Sequence, residues 1–310
     1  MNLPGLHHVT AIASDPRRNV DFYTRVLGLR LVKKTVNFDD PSTYHLYYAD
    51  GVGTPGSVMT FFPWSGLRRG RVGSGQVTAT SFSVSTDALS FWVARLTAHR
   101  VTLTAAVSRF GESVITFEDP DGLVLEIVGA REPDARTPWT HPEIPVAVAL
   151  RGFHGVTLGV TLADPTLALL TGTMGYRLVS TEGGRTRLTT GNGGPGTYVD
   201  VLVDPALPRG LQGAGTVHHV AFRTPNDTTQ ANDLAAVRER GLQVSPVMDR
   251  SYFHSIYYRE PAGILFEIAT DTPGFATDES VEQLGTTLRL PPQYEAQRAE
   301  IEAALPKLSE

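Results

Sequence analysis

The sequence predicts an α+β protein in which four βαβββ modules pair into two open, curved, eight-stranded sheets. Two observations lead to this fold class. The two halves of the 310-residue chain repeat each other, and each half divides again into two segments with the same order of strand and helix patterns. Such a repeat indicates one supersecondary unit that is used several times. Because one βαβββ unit cannot enclose a core by itself, we expect the modules to pair side by side.

The repeat is visible in three pairs of segments. GLHHVTAIASDP (5–16) is similar to GFHGVTLGVTLADP (152–165), EDPDGLVLEIVG (118–129) to REPAGILFEIAT (259–270), and QVTATSFSV (76–84) to TVHHVAFRT (216–224). The offsets of 147, 141 and 140 residues are nearly equal and give modules at 5–64, 75–130, 150–205 and 214–270. We therefore predict an N-terminal pair of modules in 1–130, a proline-rich linker in 131–149, a C-terminal pair in 150–270, and a tail with a short helix in 271–310.

Each module begins with a short apolar strand, and a helix pattern follows. The apolar face of the first helix comprises Val20, Tyr23, Val26 and Leu27. Asp15 is the predicted N-cap, Pro16 occupies the first turn, and Gly28 can end the helix. Residues 164–165 repeat the start signal in the third module, and Gly241 repeats the end signal in the fourth.

Strand-like runs follow the helices. They are YHLYYAD (44–50), SVMTFF (57–62), VITFEDP (114–120), VLEIV (124–128), TYVDVLV (197–203), SIYYREP (255–261) and ILFEIA (264–269). DPDG at 119–122 and EPAG at 260–263 are typical of tight turns between the last two strands of a module.

The composition restricts the classes of function. With 41% hydrophobic and 19% charged residues, the chain is typical of a globular protein, and it has no run of the roughly 20 apolar residues that a membrane helix needs. A net charge of −5 gives no electrostatic reason to expect a nucleic acid partner. The chain has no cysteine, so a metal must be held by nitrogen or oxygen ligands. The absence of cysteine and of a secretion signal predicts a cytoplasmic protein.

Equivalent positions in the four modules indicate which modules could hold a metal. The first strands offer His8, Ala79, Gly155 and His219, and the last strands offer Thr60, Glu126, Asp200 and Glu267. Pairing the first and fourth modules brings together His8, His219 and Glu267. Pairing the second and third modules gives no histidine, and the pairs one–two and three–four give one histidine each. We therefore predict that the first and fourth modules share one sheet and that these three residues are metal ligands.

Two imidazoles and a carboxylate suit a divalent transition metal and leave coordination positions open, as in non-haem Fe(II) oxygenases. Mn(II) suits the same ligands, and Zn(II) can be acquired during purification. Glu126 lies in an equally apolar strand but has no histidine partners, so we predict a structural hydrogen-bonding role or a relic of an earlier site. A buried carboxylate without any partner would be very costly.

The modules, the opening LHHVT (6–10) and the ending PDGLVLEI (120–127) resemble the vicinal oxygen chelate superfamily. That superfamily includes glyoxalase I, fosfomycin and bleomycin resistance proteins, and extradiol ring-cleaving dioxygenases. The segments YHLYYAD, GTPGSVMTFFPW (53–64), RGFH (151–154), HHVAF (218–222) and the tail motif LPPQYE are most similar to the hydroquinone-type ring-cleaving dioxygenases. The resemblance extends over residues 5 to about 295.

The resemblance implies an Fe(II)-dependent, extradiol-type dioxygenase that inserts O2 into an aromatic diol of hydroquinone or catechol type. It implies the same three metal ligands, and it places Arg250 and Tyr257 against the substrate, where Arg250 could stabilise an anion. His254 is nearby in the sequence and could take either role. The implied partners are a small aromatic molecule and O2, with no nucleic acid or membrane; a homo-oligomer is compatible with the sequence.

His7, His218 and Thr10 are the remaining candidate catalytic residues. Strict strand alternation would point His7 and His218 away from the ligands, whereas the resemblance implies that both border the active site as proton handlers or hydrogen-bond donors. Thr10 shares a face with His8 and could line the pocket. His45 and His154 are predicted to be structural, and Phe62 and Trp64 either wall an aromatic pocket or pack in the core.

Two other functions are compatible with the same fold. A glyoxalase-type isomerase or lyase typically needs a fourth protein ligand, often a second carboxylate, but the fourth position here is Thr60. A non-catalytic resistance protein that binds a small molecule would not need two histidines and a glutamate at matched positions. Both alternatives are therefore less favoured than the dioxygenase.

Overall fold

The computed structural model describes residues 1–308 and confirms the predicted α+β class and the four βαβββ modules. The first module contains β1 (Leu6–Ala13), α1 (Pro16–Asp21), β2 (Arg30–Val36), β3 (Tyr44–Ala49) and β4 (Val58–Pro63). The second contains β5 (Gln76–Ser85), α2 (Leu89–Ala98), β6 (Val107–Arg109), β7 (Glu112–Glu118) and β8 (Val124–Ala130). The third contains β9 (Phe153–Val160), α3 (Ala163–Gly172), β10 (Arg177–Glu182), β11 (Arg185–Thr189) and β12 (Tyr198–Val203). The fourth contains β13 (Thr216–Thr224), α4 (Asp227–Glu239), β14 (Met248–Asp249), β15 (Phe253–Arg259) and β16 (Leu265–Pro273).

The modules pair across the two halves of the chain. One sheet has the order β14-β15-β16-β13-β1-β4-β3-β2 and so combines the fourth module with the first. The other has the order β10-β11-β12-β9-β5-β8-β7-β6 and combines the third module with the second. We call the concave faces of these sheets the first cup and the second cup. The predicted pairing of the first and fourth modules is confirmed, and each predicted sequence half contributes one module to each sheet.

Strand register confirms that the compared positions are equivalent. In every module, the residue two places after the compared residue of the first strand is paired with the compared residue of the last strand. The pairs are Thr10 with Thr60, Ser81 with Glu126, Thr157 with Asp200, and Ala221 with Glu267. The four modules therefore present the same set of positions to their cups, and only their side chains differ.

Each opening strand also carries a β-bulge at one equivalent position. The bulged residues, read from the register shifts, are His7, Thr78, His154 and His218. A bulge inserts one extra residue into a strand and re-aims the side chains around it. Strict alternation is therefore the wrong rule at His7 and His218.

The helix signals are confirmed in the first and fourth modules and differ in the third. The carboxylate of Asp15 accepts hydrogen bonds from two backbone N–H groups of α1, and Gly28 and Gly241 have positive φ angles of 69° and 78°. A π-helical turn, Phe22–Val26, extends α1. Helix α3 begins at Ala163, so residues 164–165 lie inside its first turn and not before it. Proline is tolerated there because the N–H groups of a first turn have no acceptor within the helix.

The tail begins as a continuation of β16 and contains helix α5 (Arg298–Ala304); Ile301 in this helix and Leu305 directly after it are buried. The completely buried Lys33 of β2 holds the tail, because its ammonium group lies 2.6 Å from Asp278 and 2.5 Å from Glu279. Within residues 1–308, no helix is long and apolar enough to cross a membrane.

Candidate metal centre

Three donor atoms meet on the floor of the first cup. Nε2 of His8 lies 3.3 Å from Nε2 of His219 and 3.2 Å from Oε2 of Glu267. The distance from His219 Nε2 to Glu267 Oε2 is 2.9 Å. Ligands that lie about 2.1 Å from a metal, at right angles to one another, are about 3.0 Å apart. The spacing therefore fits three neighbouring ligands of one ion, and it is the one such cluster found among residues 1–308.

The partners of Glu267 also fit a metal. Its Oε1 accepts a hydrogen bond from the hydroxyl of Ser255, whereas its buried Oε2 has no partner with hydrogen-bond geometry. A buried carboxylate oxygen normally has a partner, and a cation held by the same two imidazoles would supply one. Burial acts to raise the pKa of Glu267, but positive charge and hydrogen bonds from His8 and His219, when these rings are protonated, outweigh it and hold the pKa well below its usual range. The carboxylate is therefore ionised and able to bind a cation.

The first histidine doublet directs a lone pair toward this point. Burial lowers the pKa of His7 well below its usual value, so the ring is neutral and carries one proton. The carbonyl of Thr270, 3.1 Å from His7 Nε2, can only accept, which places that proton on Nε2. His7 Nδ1 then accepts from His8 Nδ1–H at 2.9 Å, so Nε2 is the His8 nitrogen that can bind a metal. His7 thereby orients a ligand, as outer partners of metal-binding histidines do.

The second doublet repeats this contact. Nδ1 of His218 lies 2.7 Å from Nδ1 of His219, and burial lowers the pKa of His218 to about 3. Both rings are placed this way because His7 and His218 occupy the two bulges of the β1–β13 pair. In a regular strand the two imidazoles of a doublet would point to opposite faces. The bulges re-aim them so that they are in contact.

A cavity of about 340 Å³, the front cavity, opens above the three donor atoms. Its walls are mainly aromatic and comprise His8, Asn37, Phe38, Asp39, His45, Tyr47, Phe62, Trp64, His218, His219, Arg250, Phe253, Tyr257 and Leu265. Arg250 Nε donates to the Tyr257 hydroxyl at 3.2 Å, and the same guanidinium lies 3.3 Å from Asp39. Burial raises the pKa of Tyr257 above its usual value, so its hydroxyl is protonated and can donate.

Not every predicted residue lines the front cavity. His7 lies behind His8, and Thr10 lies beneath the cavity, with its hydroxyl 3.1 Å from that of Thr60. His254 points elsewhere and pairs with Asp227 at 2.6 Å. Phe62 and Trp64 do form part of the aromatic wall.

His45 and Tyr47 are two of the wall residues that were not among the predicted site residues. His45 was predicted to be structural, yet it lies in the front cavity, 2.6 Å from the Thr60 hydroxyl and 2.7 Å from the Tyr47 hydroxyl. The repeat contained a signal for Tyr47, since it pairs with Thr60 in the same way as Tyr257 pairs with Glu267. His45 had no such signal, because all six residues of β3 are buried and no alternation marks its face.

The second cup contains ion pairs in place of a histidine cluster. Glu126 accepts hydrogen bonds from Arg109 at 2.9 Å and from Ser81 at 2.6 Å, which is the predicted structural role. Asp200 is paired with Arg187 at 2.8 Å. At the position equivalent to His8, a Cβ on Gly155 would lie 2.7 Å from a backbone oxygen, so no side chain fits there.

The fold and the three donor atoms define the class of protein: paired βαβββ modules with two histidines and a glutamate suited to a metal. The family model described as "Glyoxalase/Bleomycin resistance protein/Dioxygenase superfamily" matches residues 5–127. The chain belongs to this superfamily, because close relatives match it over almost its whole length.

Three of these similarities are informative. The chain is 49% identical over 301 residues to "Putative ring-cleaving dioxygenase MhqO" of Bacillus subtilis, which covers 97% of this chain and 95% of that protein. It is 36% identical over 314 residues to "Chlorohydroquinone/hydroquinone 1,2-dioxygenase" of Sphingobium indicum, with 97% of each chain covered. A crystal structure described as a "putative dioxygenase from Bacillus subtilis" shares 46% identity and has a TM-score of 0.95, with 100% of this chain and 99% of that chain covered.

Proposed function

We propose that the protein is an Fe(II)-dependent ring-cleaving dioxygenase that inserts both atoms of O2 into an aromatic diol of hydroquinone or catechol type. The observation that carries this proposal is the set of three donor atoms, 2.9–3.3 Å apart, on the floor of an aromatic cavity. The names of the relatives in Bacillus and Sphingobium support the same reaction class.

In this proposal His8, His219 and Glu267 hold the metal. Nitrogen and carboxylate donors in a two-histidine, one-carboxylate set favour Fe(II), and Mn(II) is the nearest substitute. When bound, Fe(II) would supply Lewis acidity toward the diol and a route for electron transfer from the diol to O2. We propose an extradiol-type cleavage, beside the carbon that carries the bound oxygen.

The remaining roles belong to side chains of the front cavity. Its aromatic walls hold the ring flat, and Arg250 supplies a positive charge for the ionised diol. Tyr257 donates a hydrogen bond to an oxygen of the reacting pair, and its position is secured by the guanidinium at 3.2 Å. His218, which lines the cavity and is held neutral by burial, donates a hydrogen bond to the bound diol. His7 positions His8, and Thr10 supports the floor through Thr60.

The glyoxalase alternative is less well supported by the same cup. The position that would supply a second carboxylate is Thr60, whose hydroxyl is engaged by His45 and Thr10. A threonine there neither balances the metal charge nor acts as a strong base.

The test is oxygen uptake by anaerobically purified, Fe(II)-loaded protein on a panel of catechols and hydroquinones. We expect one O2 consumed per ring opened, and no uptake by the Glu267→Gln variant. Absence of uptake on every diol, together with isomerisation of a glutathione hemithioacetal, would overturn the proposal in favour of the glyoxalase alternative.

A further inference from the structure

A second pocket, the rear pocket, meets the front cavity at one side chain. It has a volume of about 260 Å³, and Phe253 is the one residue that both sets of walls share. Thr54 and Ala276 are exposed at its mouth, whereas His7 and Phe253 are buried at its inner end. The rear pocket therefore leads from the surface to the back of the candidate metal centre.

The partition between the two cavities is one aromatic ring thick. The Phe253 ring lies 5.0 Å from the His8 ring and 5.1 Å from the His7 ring, measured between centroids. Phe253 is therefore the side chain whose displacement would connect the rear pocket to the front cavity.

The inner walls of the rear pocket offer little to a polar ligand. Tyr252, Phe253 and Phe275 supply aromatic surface. The polar groups beside them already have partners: His7 Nε2 donates to the Thr270 carbonyl, and the Asp271 carboxylate accepts two hydrogen bonds from Arg223. Enclosed apolar cavities take up apolar molecules and gases such as xenon, and the inner end of the rear pocket, where His7 and Phe253 are buried, offers the same kind of surface.

We propose that the rear pocket takes up O2 and delivers it past Phe253 to the metal centre. The inference rests on the proposed dioxygenase function. An aromatic diol bound in the front cavity would obstruct the entry of O2 through that cavity. O2, a small apolar molecule, is still required for ring opening. A separate entrance allows O2 to arrive after the diol is in place.

Xenon provides a test that does not depend on activity. Crystals of the metal-loaded protein under xenon pressure should show xenon in the rear pocket beside Phe253. Ala276→Trp, or Thr54→Phe from the other side of the mouth, should abolish this peak. Val281→Trp adds the same bulk to an exposed tail position outside the pocket and should leave the xenon peak in place. A rear pocket without xenon in the wild-type protein would overturn the proposal.

Steady-state kinetics supplies the second measurement. For Ala276→Trp and Thr54→Phe we expect a several-fold rise in KM for O2 with KM for the diol unchanged, and for Val281→Trp no change in either. An unaltered KM for O2 in both blocking variants, with an active wild type, would refute the O2 route alone. A wild type that consumes no O2 on any diol would refute the dioxygenase function instead, and with it this inference.

Discussion

Glu267 and Glu126 show how one residue type takes two roles at equivalent positions. Both are buried in apolar strands, and both face the concave side of a cup. Glu126 is neutralised by the guanidinium of Arg109, whereas Glu267 faces two imidazoles whose lone pairs point the same way. A guanidinium always keeps its charge, whereas imidazoles can lose their protons and bind a metal, so only Glu267 lies where a cation can take over that charge.

We predict that Glu267→Gln abolishes most metal binding and that Glu126→Gln retains it. The amide removes a negative charge that balances the metal, and its oxygen is a weaker ligand than a carboxylate. The measurement is metal content per chain after dialysis, with the thermal midpoint as a check on folding. Loss of metal from Glu126→Gln alone would show that the metal site lies in the second cup and not in the first.

Tyr257→Phe should keep the metal and lower turnover. Only the hydroxyl is lost, and the ring continues to form the cavity wall beside Arg250. A hydrogen bond made in the transition state contributes about 1–3 kcal/mol, which corresponds to a decrease of roughly 5- to 150-fold in kcat. Tyr258→Phe is the matched control, since that neighbouring hydroxyl contacts Met174 and does not line the front cavity. Equal activities of the two variants would contradict the role given to Tyr257.

At the scale of the elements, sequence repeats predicted the modules, their pairing and the three donor residues. They succeeded because equivalent residues recur at nearly constant offsets, and this signal survives when local patterns are ambiguous. The bulges at His7 and His218 could not be predicted. All eight residues of β1 are buried, so the strand has no polar face whose shift would reveal an extra residue. Similarly, Arg187 meets Asp200 only because β11 pairs with β12, and Arg109 reaches Glu126 from β6, across the intervening β7.

The attachment of the tail to β2 gives a prediction about stability. Lys33→Met should destabilise the protein by about 3–5 kcal/mol, because it leaves the buried Glu279 carboxylate without its main partner. The double variant Lys33→Met/Glu279→Gln should recover part of this loss. Lys34→Met, at a more exposed neighbouring position, should have a small effect. Urea unfolding measures all three, and equal stabilities of Lys33→Met and Lys34→Met would refute the prediction.

At the scale of the whole molecule, the second cup couples stability to pH through Glu112. Burial acts to raise the pKa of this residue of β7, but His154 and then Arg187, both from the third module, outweigh it and lower the pKa to about 2. A depressed carboxyl pKa stabilises the folded state above the unfolded pKa, and this contribution is lost as pH falls through the folded pKa. The lowered pKa corresponds to a loss of about 3 kcal/mol in the free energy of unfolding between near-neutral and strongly acidic solution.

We therefore expect the wild type to lose stability more steeply than Glu112→Gln as pH falls from about 6 to about 3. Glu267 titrates in the same direction in both proteins, so its contribution cancels in the difference between them. The measurement is the free energy of unfolding in urea at several pH values. Parallel curves for the two proteins would contradict the pairing of the second and third modules through Glu112.

The first cup should couple metal binding to the stability of the entire chain. Its three donor residues come from β1, β13 and β16, so one ion would join the first and last quarters of the sequence. A ligand that binds only the folded state stabilises it by about 2.7 kcal/mol when its free concentration is a hundred times Kd. We expect chelation to lower the calorimetric Tm by several degrees, and re-addition of one Fe(II) per chain to restore it. Glu126→Gln should show the same response, whereas Glu267→Gln should unfold at one temperature with or without metal. A metal-dependent Tm in Glu267→Gln would mean that the stabilising ion binds elsewhere in the protein.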